Sequence, residues 1–318
     1  MNKMKKVLII KTGYSEVLDN SHNSRNPSFG DIIRTTPLLH VYKEDDVTWV
    51  TDEQAMPLLQ GNPYIDRLLP LDFTTAMRLL DEEFDVVINL EKNPDICKLS
   101  NKIEAWSKYG FRFDKKENRP EAYDRALEVL TVSSDLKIKQ ENKRTVQELL
   151  FEMVGTKWQG EDYVLGYTPK SSEAYDIGLN TQIGKKWPIK SWPAQSWDSL
   201  ESILVSNGYT VTRQDKQGPE VTQNLYGYMD WINSSRMIVS NDSLGLHLAL
   251  AMKKKVIGLF GPTAVDEIYF YNRGKAILPE PKLDCMPCLA ETCSKERRCI
   301  EYISPERIYS EIKSINLK

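Results

Sequence analysis

Residues 237–263 read MIVSNDSLGLHLALAMKKKVIGLFGPT, and the order of apolar and polar positions in this stretch decides the class of fold. Residues 237–240 form a short apolar run of buried-strand type, and Val256, Ile257, Leu259 and Phe260 form another. Leu244, Leu246, Leu248, Leu250 and Met252 lie between them on a helical segment, so the stretch predicts strand, turn, helix and strand. Asn241, Asp242 and Ser243 sit where the first strand gives way to the helix. Ser or Asp at that point accepts a bond from the first turn, and the remaining N–H groups with the helix dipole suit a phosphate-bearing ligand. Open α/β sheets also receive ligands at the carboxyl ends of their strands. A capped core helix with nothing bound satisfies the same pattern.

Outward from this stretch, strands and helices alternate. Residues 7–10, 46–50, 67–71 and 85–90 read as strands, with helical spacing over 31–42, 53–60 and 74–83 between them. Alternation of this kind implies right-handed βαβ units and a parallel sheet. Residues 114–147 are charged and poor in sheet signals, and helices are expected at 120–130 and 142–153. The polar stretch YTPKSSEA at 167–174 is the best linker. A second set follows: a strand at 175–179, a helix at 196–206, a strand at 209–212 and a helix at 221–233. Ser304-Pro305-Glu306 opens a last helix running to about Ile315. The expected architecture is α/β, with two Rossmann-type lobes facing across a cleft in the GT-B manner. The first lobe spans 1–166, the second spans 175–303, and a helix at 304–318 is free to cross back.

Composition narrows the class. The chain has 318 residues, too many for one ordinary core, with 41% hydrophobic and 27% charged residues. A net charge of −3 argues against a nucleic-acid partner, which would select a basic surplus. No apolar run reaches the length of about 18 residues that suggests a membrane span. The N-terminal MNKMKKVLIIKTG has too short an apolar core for a secretory signal. A cytoplasmic enzyme is expected, and its basic first residues are compatible with peripheral contact at the inner membrane.

Four stretches, in order, carry a family resemblance: VLIIKTG with SFGDIIRTTPLL, then KKWPIKSWP, then NDSLGLHLALAMKKKVIGLFGPT, then CMPCLAETC with ISPERI. In these the chain resembles glycosyltransferase family 9, the ADP-heptose lipopolysaccharide heptosyltransferases and their relatives. Two departures stand out. The family runs directly from the first strand into its Ser-x-Gly-Asp turn, whereas residues 13–27 are inserted here. Its Asp-Ser-Gly turn becomes Asp242-Ser243-Leu244-Gly245, placing a Cβ at Leu244 where glycine has none.

Sugar transfer from a nucleotide diphosphate needs a base near the acceptor hydroxyl and positive charge or N–H donors on the leaving diphosphate. Asp31 is the candidate base, and its position matches the family's catalytic aspartate; a plain helix cap is the competing role. The helix dipole would favour its charged form, so proton transfer would come late. The chain has no Asp-x-Asp pair of the kind that presents a divalent metal, so lysines must serve the leaving group and no catalytic metal is expected. The resemblance implies a phosphate contact for Lys190, with Lys185 and Lys186 as weaker options. Lys11, at the end of the first strand, is placed to contact phosphate or to orient Asp31. Asp242, Ser243, Leu244 and Gly245 form the donor turn, and Gly261, Pro262 and Thr263 the neighbouring strand-end loop. His247 either bonds the donor or is a satisfied core histidine. Ser28, Gly30, His22 and Arg25 are candidates for the acceptor, which is a glycan, lipid, protein or small molecule. Trp187, Trp192 and Trp197 either pack in the core or offer a sugar platform.

Cys285, Cys288, Cys293 and Cys299 follow the spacing C-x2-C-x4-C-x5-C. So many close thiols in a cytosolic chain favour a structural tetrathiolate site for zinc or iron over disulfides. The leading expectation is an inverting glycosyltransferase using an ADP-activated heptose or a related sugar. A sugar-nucleotide epimerase and a non-catalytic cysteine-finger binding protein are the alternatives.

Overall fold

A computed structural model of the chain describes residues 4–18 and 26–315. It contains two compact units, Met1–Tyr167 and Thr168–Lys318. In the first, β1 (Lys6–Ile10), α1 (Phe29–Thr35), β2 (Asp46–Thr51), α2 (Met56–Leu59), β3 (Arg67–Pro70), α3 (Phe73–Leu80) and β4 (Glu83–Asn89) alternate as the sequence predicts. They are followed by α4 (Pro94–Lys102), β5 (Glu104–Asp114), β6 (Arg119–Ala122), α5 (Leu127–Ser134), α6 (Leu136–Glu141) and α7 (Val146–Met153). The sheet order is β3-β2-β1-β4-β5-β6, parallel except for the antiparallel β5–β6 pair. Leu8, Ile10, Val50, Leu79, Phe84, Val87, Ile96 and Ile103 form one face of its core. Strands buried on both faces need near-continuous apolar runs, which is why β1 and β4 were legible.

The second unit holds β7 (Tyr175–Asn180), α8 (Ala194–Ser206), β8 (Val211–Arg213), α9 (Pro219–Thr222), α10 (Leu225–Asn233), β9 (Ser235–Asn241), α11 (Leu244–Ala251), β10 (Lys255–Leu259), β11 (Gly274–Ile277) and α12 (Pro305–Ser314). Its all-parallel sheet has the order β11-β10-β9-β7-β8. Ile308 and Ile312 of α12 pack in one cluster with Leu200 and Leu204 of α8, so the last helix completes the core of this unit. Both units are therefore Rossmann-type α/β units, the pairing from which GT-B folds are built. Among the described residues no helix is long and apolar enough to cross a membrane.

Several local expectations are corrected. The helix predicted over 31–42 ends at Thr35 and continues as a 3-10 turn through Tyr42, because Pro37 cannot donate to the α ladder. The first residues of the predicted 120–130 helix are instead strand β6, where Pro120 sits on a sheet edge and needs no ladder partner for its nitrogen. The predicted 221–233 helix is two helices broken at Asn224, whose side chain caps the second by accepting from Tyr226 N.

Candidate functional site

In open α/β sheets a crevice forms where neighbouring strands send their connections to opposite sides. The strand order places this switch between β1 and β4 in the first unit and between β7 and β9 in the second. Both groups of predicted site residues stand at the carboxyl ends of those pairs.

At the first switch, Lys11 follows β1 and Glu91 follows β4. Lys11 is fully buried and bridges Asp31 and Glu91, with its Nζ 3.1 Å from Glu91 Oε1 and in direct ion pairing with Asp31 Oδ2. Arg34, one turn along α1, donates from Nε to Asp31 Oδ1 at 2.9 Å. Asp31 therefore does not cap α1: the N-cap is Ser28, which makes no side-chain bond to the helix. Burial pushes the Asp31 carboxyl up, but the charges and bonds of Lys11 and Arg34 outweigh it and hold the group at about 2. Burial works against the Lys11 cation too, yet Asp31 and Glu91 raise its pKa overall.

Residues 13–18 explain why Asp31 is enclosed. Gly13 O accepts from Ser28 N at 2.8 Å, so the insertion leaves and rejoins the chain at one point. Within it, Ser15 O accepts from Lys11 Nζ at 2.5 Å and Val17 N donates to Asp31 Oδ1 at 3.3 Å. Glu91 fastens the start of the loop, accepting from Thr12 N at 2.9 Å, Gly13 N at 2.7 Å, Ser15 N at 2.8 Å and Ser15 Oγ at 2.6 Å. The Asp31 side chain is left 1% exposed. Ser28 and Gly30 are half-buried beside it, while His22 and Arg25 lie outside the described residues.

At the second switch, Asn241 ends β9 and Ser243 is the N-cap of α11. The Ser243 hydroxyl makes no cap bond; it accepts from Asn180 Nδ2 at 2.9 Å, and Asn180 is itself fixed by Tyr228 OH donating to its Oδ1 at 2.6 Å. Gly245 permits this packing, since a Cβ there would stand 2.4 Å from Asn180 Nδ2 and 2.5 Å from Tyr228 OH. Leu244 is the first helical residue and is half-buried. Asp242 Oδ2 accepts from Lys190 Nζ at 2.7 Å and from Thr263 Oγ1 at 2.8 Å. Burial raises the Asp242 pKa, and Lys190, with smaller help from His247 and Thr263, brings it down to about 2. His247 is buried along α11, and Gly261 and Pro262 are buried behind Thr263. Lys190 Nζ also stands 5.4 Å from the centre of the Trp187 ring. Trp192 and Trp197 are core residues, packed edge to face at 4.9 Å.

Glu91, Arg34, Asn180 and Tyr228 stand in the candidate site and were not singled out by sequence reasoning. Glu91 and Asn180 carried a usable signal, each being a polar residue at the carboxyl end of a buried apolar run. Their partners in the site are 76 to 80 residues away for Glu91 and 48 to 63 for Asn180, distances no local pattern spans.

The cysteines are free thiols. Burial pushes Cys299 up to about 11, and the nearby Cys288, Cys285 and Cys293 add to the rise. Four soft sulfur donors suit zinc or iron, and a cation would reverse that rise. Among the described residues, however, no three metal-ligating side chains stand in ligating geometry. The expected tetrathiolate arrangement is thus not closed in this structure.

Comparison with known proteins bears on both units. The profile of glycosyltransferase family 9 (heptosyltransferase) matches residues 222–298. Lipooligosaccharide heptosyltransferase 2 of Campylobacter jejuni is 32% identical over 81 residues, covering 25% of this chain and 26% of that protein. The alignment thus spans about a quarter of the curated relative. The fold of the E. coli ADP-heptose lps heptosyltransferase II matches with a TM-score of 0.66 at 15% identity, over 97% of this chain and 98% of that one. The iron-containing dodecameric glycosyltransferase TibC of enterotoxigenic E. coli matches with a TM-score of 0.59 at 13% identity, over 99% and 76%. The chain resembles glycosyltransferase family 9 in the sequence around its α11 turn, and it has the two-unit fold of solved heptosyltransferases throughout its described length.

Proposed function

We propose that the protein is an inverting, metal-independent glycosyltransferase that moves a heptose or related sugar from a nucleoside diphosphate, ADP-heptose by likeness to the enzymes above, to an acceptor hydroxyl. The observation that carries this reading is the α11 N-terminus. Its N-cap hydroxyl is turned to Asn180 and makes no cap bond, and Lys190 and Thr263 stand beside it at the switch point of the sheet. The diphosphate would accept from the N–H groups of Leu244 and Gly245. Lys190 neutralises Asp242, so the turn does not repel the anion, and its ammonium offsets the charge that grows on the leaving phosphate.

Asp31 is the base. As the acceptor oxygen bonds to the anomeric carbon and the bond from that carbon to phosphate breaks, the hydroxyl proton passes to Asp31. With its pKa held low by Lys11 and Arg34, Asp31 takes the proton only once the oxygen has become strongly acidic. Access requires Val17 to move off the carboxylate, which breaks its N–H bond to Asp31. The relatives are named for lipooligosaccharide and lipopolysaccharide, which supports a lipid-linked saccharide as acceptor, near Ser28 and Gly30, and with it action at a membrane face. The four cysteines take one zinc or iron ion in a structural role. Metal analysis of the chain purified under reducing conditions is expected to return one such ion, lost when Cys288 and Cys293 are replaced by serine; a metal-free, fully folded wild type would exclude it.

The test of the main reading is Asp31→Asn. The variant should bind ADP as the wild type does while sugar transfer falls by at least about a hundredfold, the scale of a lost general base. Transfer at wild-type rate in the variant would remove Asp31 from the mechanism.

A further inference from the structure

Thr263, which bonds Asp242, follows Gly261 and Pro262, and the cysteine-bearing segment touches both. Leu289 N donates to Pro262 O at 2.8 Å. Gly261 lies so near Cys299 that a Cβ on it would stand 2.8 Å from Sγ and 3.3 Å from Ile300 N. Cys299 and Ile300 are both buried, so neither neighbour has free space to retreat into. Just beyond them, Ile303 O accepts from Trp192 Nε1 at 3.0 Å, while the backbone N–H of Trp192 donates to Asn241 Oδ1 at 3.1 Å. The segment thus reaches the α11 turn by two routes, through Gly261–Thr263 onto Asp242 and through Trp192 onto Asn241.

We propose that the segment carrying Cys285–Cys299 is a positioning element for nucleotide binding: Cys299 and Leu289 set the Gly261–Thr263 loop, and so fix Thr263 and Asp242 at the turn that receives the diphosphate. This rests on the donor-site reading of the second unit and adds a role that metal retention alone does not require. Gly261 is the residue through which the coupling is tightest, because its missing side chain is what lets the loop close on the sulfur.

Isothermal titration of the full chain with ADP tests it, using wild type, Gly261→Ala, Cys299→Ala and the double variant. Gly261→Ala is expected to raise Kd about tenfold, Cys299→Ala by less, and the double variant is expected to recover most of the loss because removing Sγ makes room for the new methyl group. A merely destabilised protein would show the two losses adding, with Tm falling in step. An unchanged Kd in Gly261→Ala, or strictly additive losses in the double variant, would overturn the proposal. Should Gly261→Ala fail to fold, Cys299→Ala decides by itself, and an unaltered Kd overturns the coupling. Failure of the wild type to bind ADP, UDP or GDP would instead overturn the donor-site reading, and this proposal with it.

Discussion

Asp31 and Asp242 meet the same physical problem in the two units and solve it alike. Asp31 is a buried carboxylate and Asp242 a largely buried one; desolvation favours the neutral acid of both, and each is kept ionised by a lysine, Lys11 or Lys190, in direct contact. The ordinary value is 3.8 and both are brought to about 2, so the folded state binds these protons less tightly than the unfolded chain. Their contribution to stability is complete above about pH 4 and is lost as pH falls through about 2. Urea unfolding across that range is expected to show the free energy of unfolding dropping steadily with acidification, and a flat profile there would contradict the pairings. At the same scale, Lys11 has two roles open to it in sequence, a phosphate contact or the orientation of Asp31. Its Nζ is taken by Asp31, Glu91 and Ser15 O, which makes it a partner of the candidate base.

At the scale of elements, caps and prolines decide the boundaries. α7 begins in a capping box in which Thr145 Oγ1 accepts from Glu148 N and Glu148 accepts from Thr145 N. Residues 142–153 read as one helix from periodicity, yet the box places the start at Val146, because a reciprocal cap satisfies donors that would otherwise be orphaned. Thr145→Ala is expected to cost about 1 kcal/mol in urea unfolding. A loss below a few tenths of that would mean the box is broken in solution. Strand β6 shows the opposite outcome: Pro120 looks like a helix start locally, and only its pairing with Phe113 on β5 shows that it lies on an edge.

At the scale of the whole molecule, each unit carries its own core and its own switch point. Among the described residues, one apolar cluster of the second unit is built from residues between Ile177 and Ile315, including the last helix. Residues 168–318 expressed alone are therefore expected to melt cooperatively and to bind ADP within about tenfold of the full chain. A fragment with no thermal transition would show that the second unit depends on the first for its fold.

The run of residues 237–263 was enough to establish a parallel α/β unit with a polar turn on its rim, because period and burial are local properties of a chain. The motifs likewise named Asp31, Lys190 and the 241–245 turn as the groups to follow. What only the tertiary structure decided is their company: Glu91 fastening the inserted loop, Asn180 drawing the Ser243 hydroxyl off the helix end, and Cys299 backing Gly261. Strand order sets which carboxyl ends lie side by side, and it arises from packing whole elements against one another, a choice that no stretch of sequence carries alone.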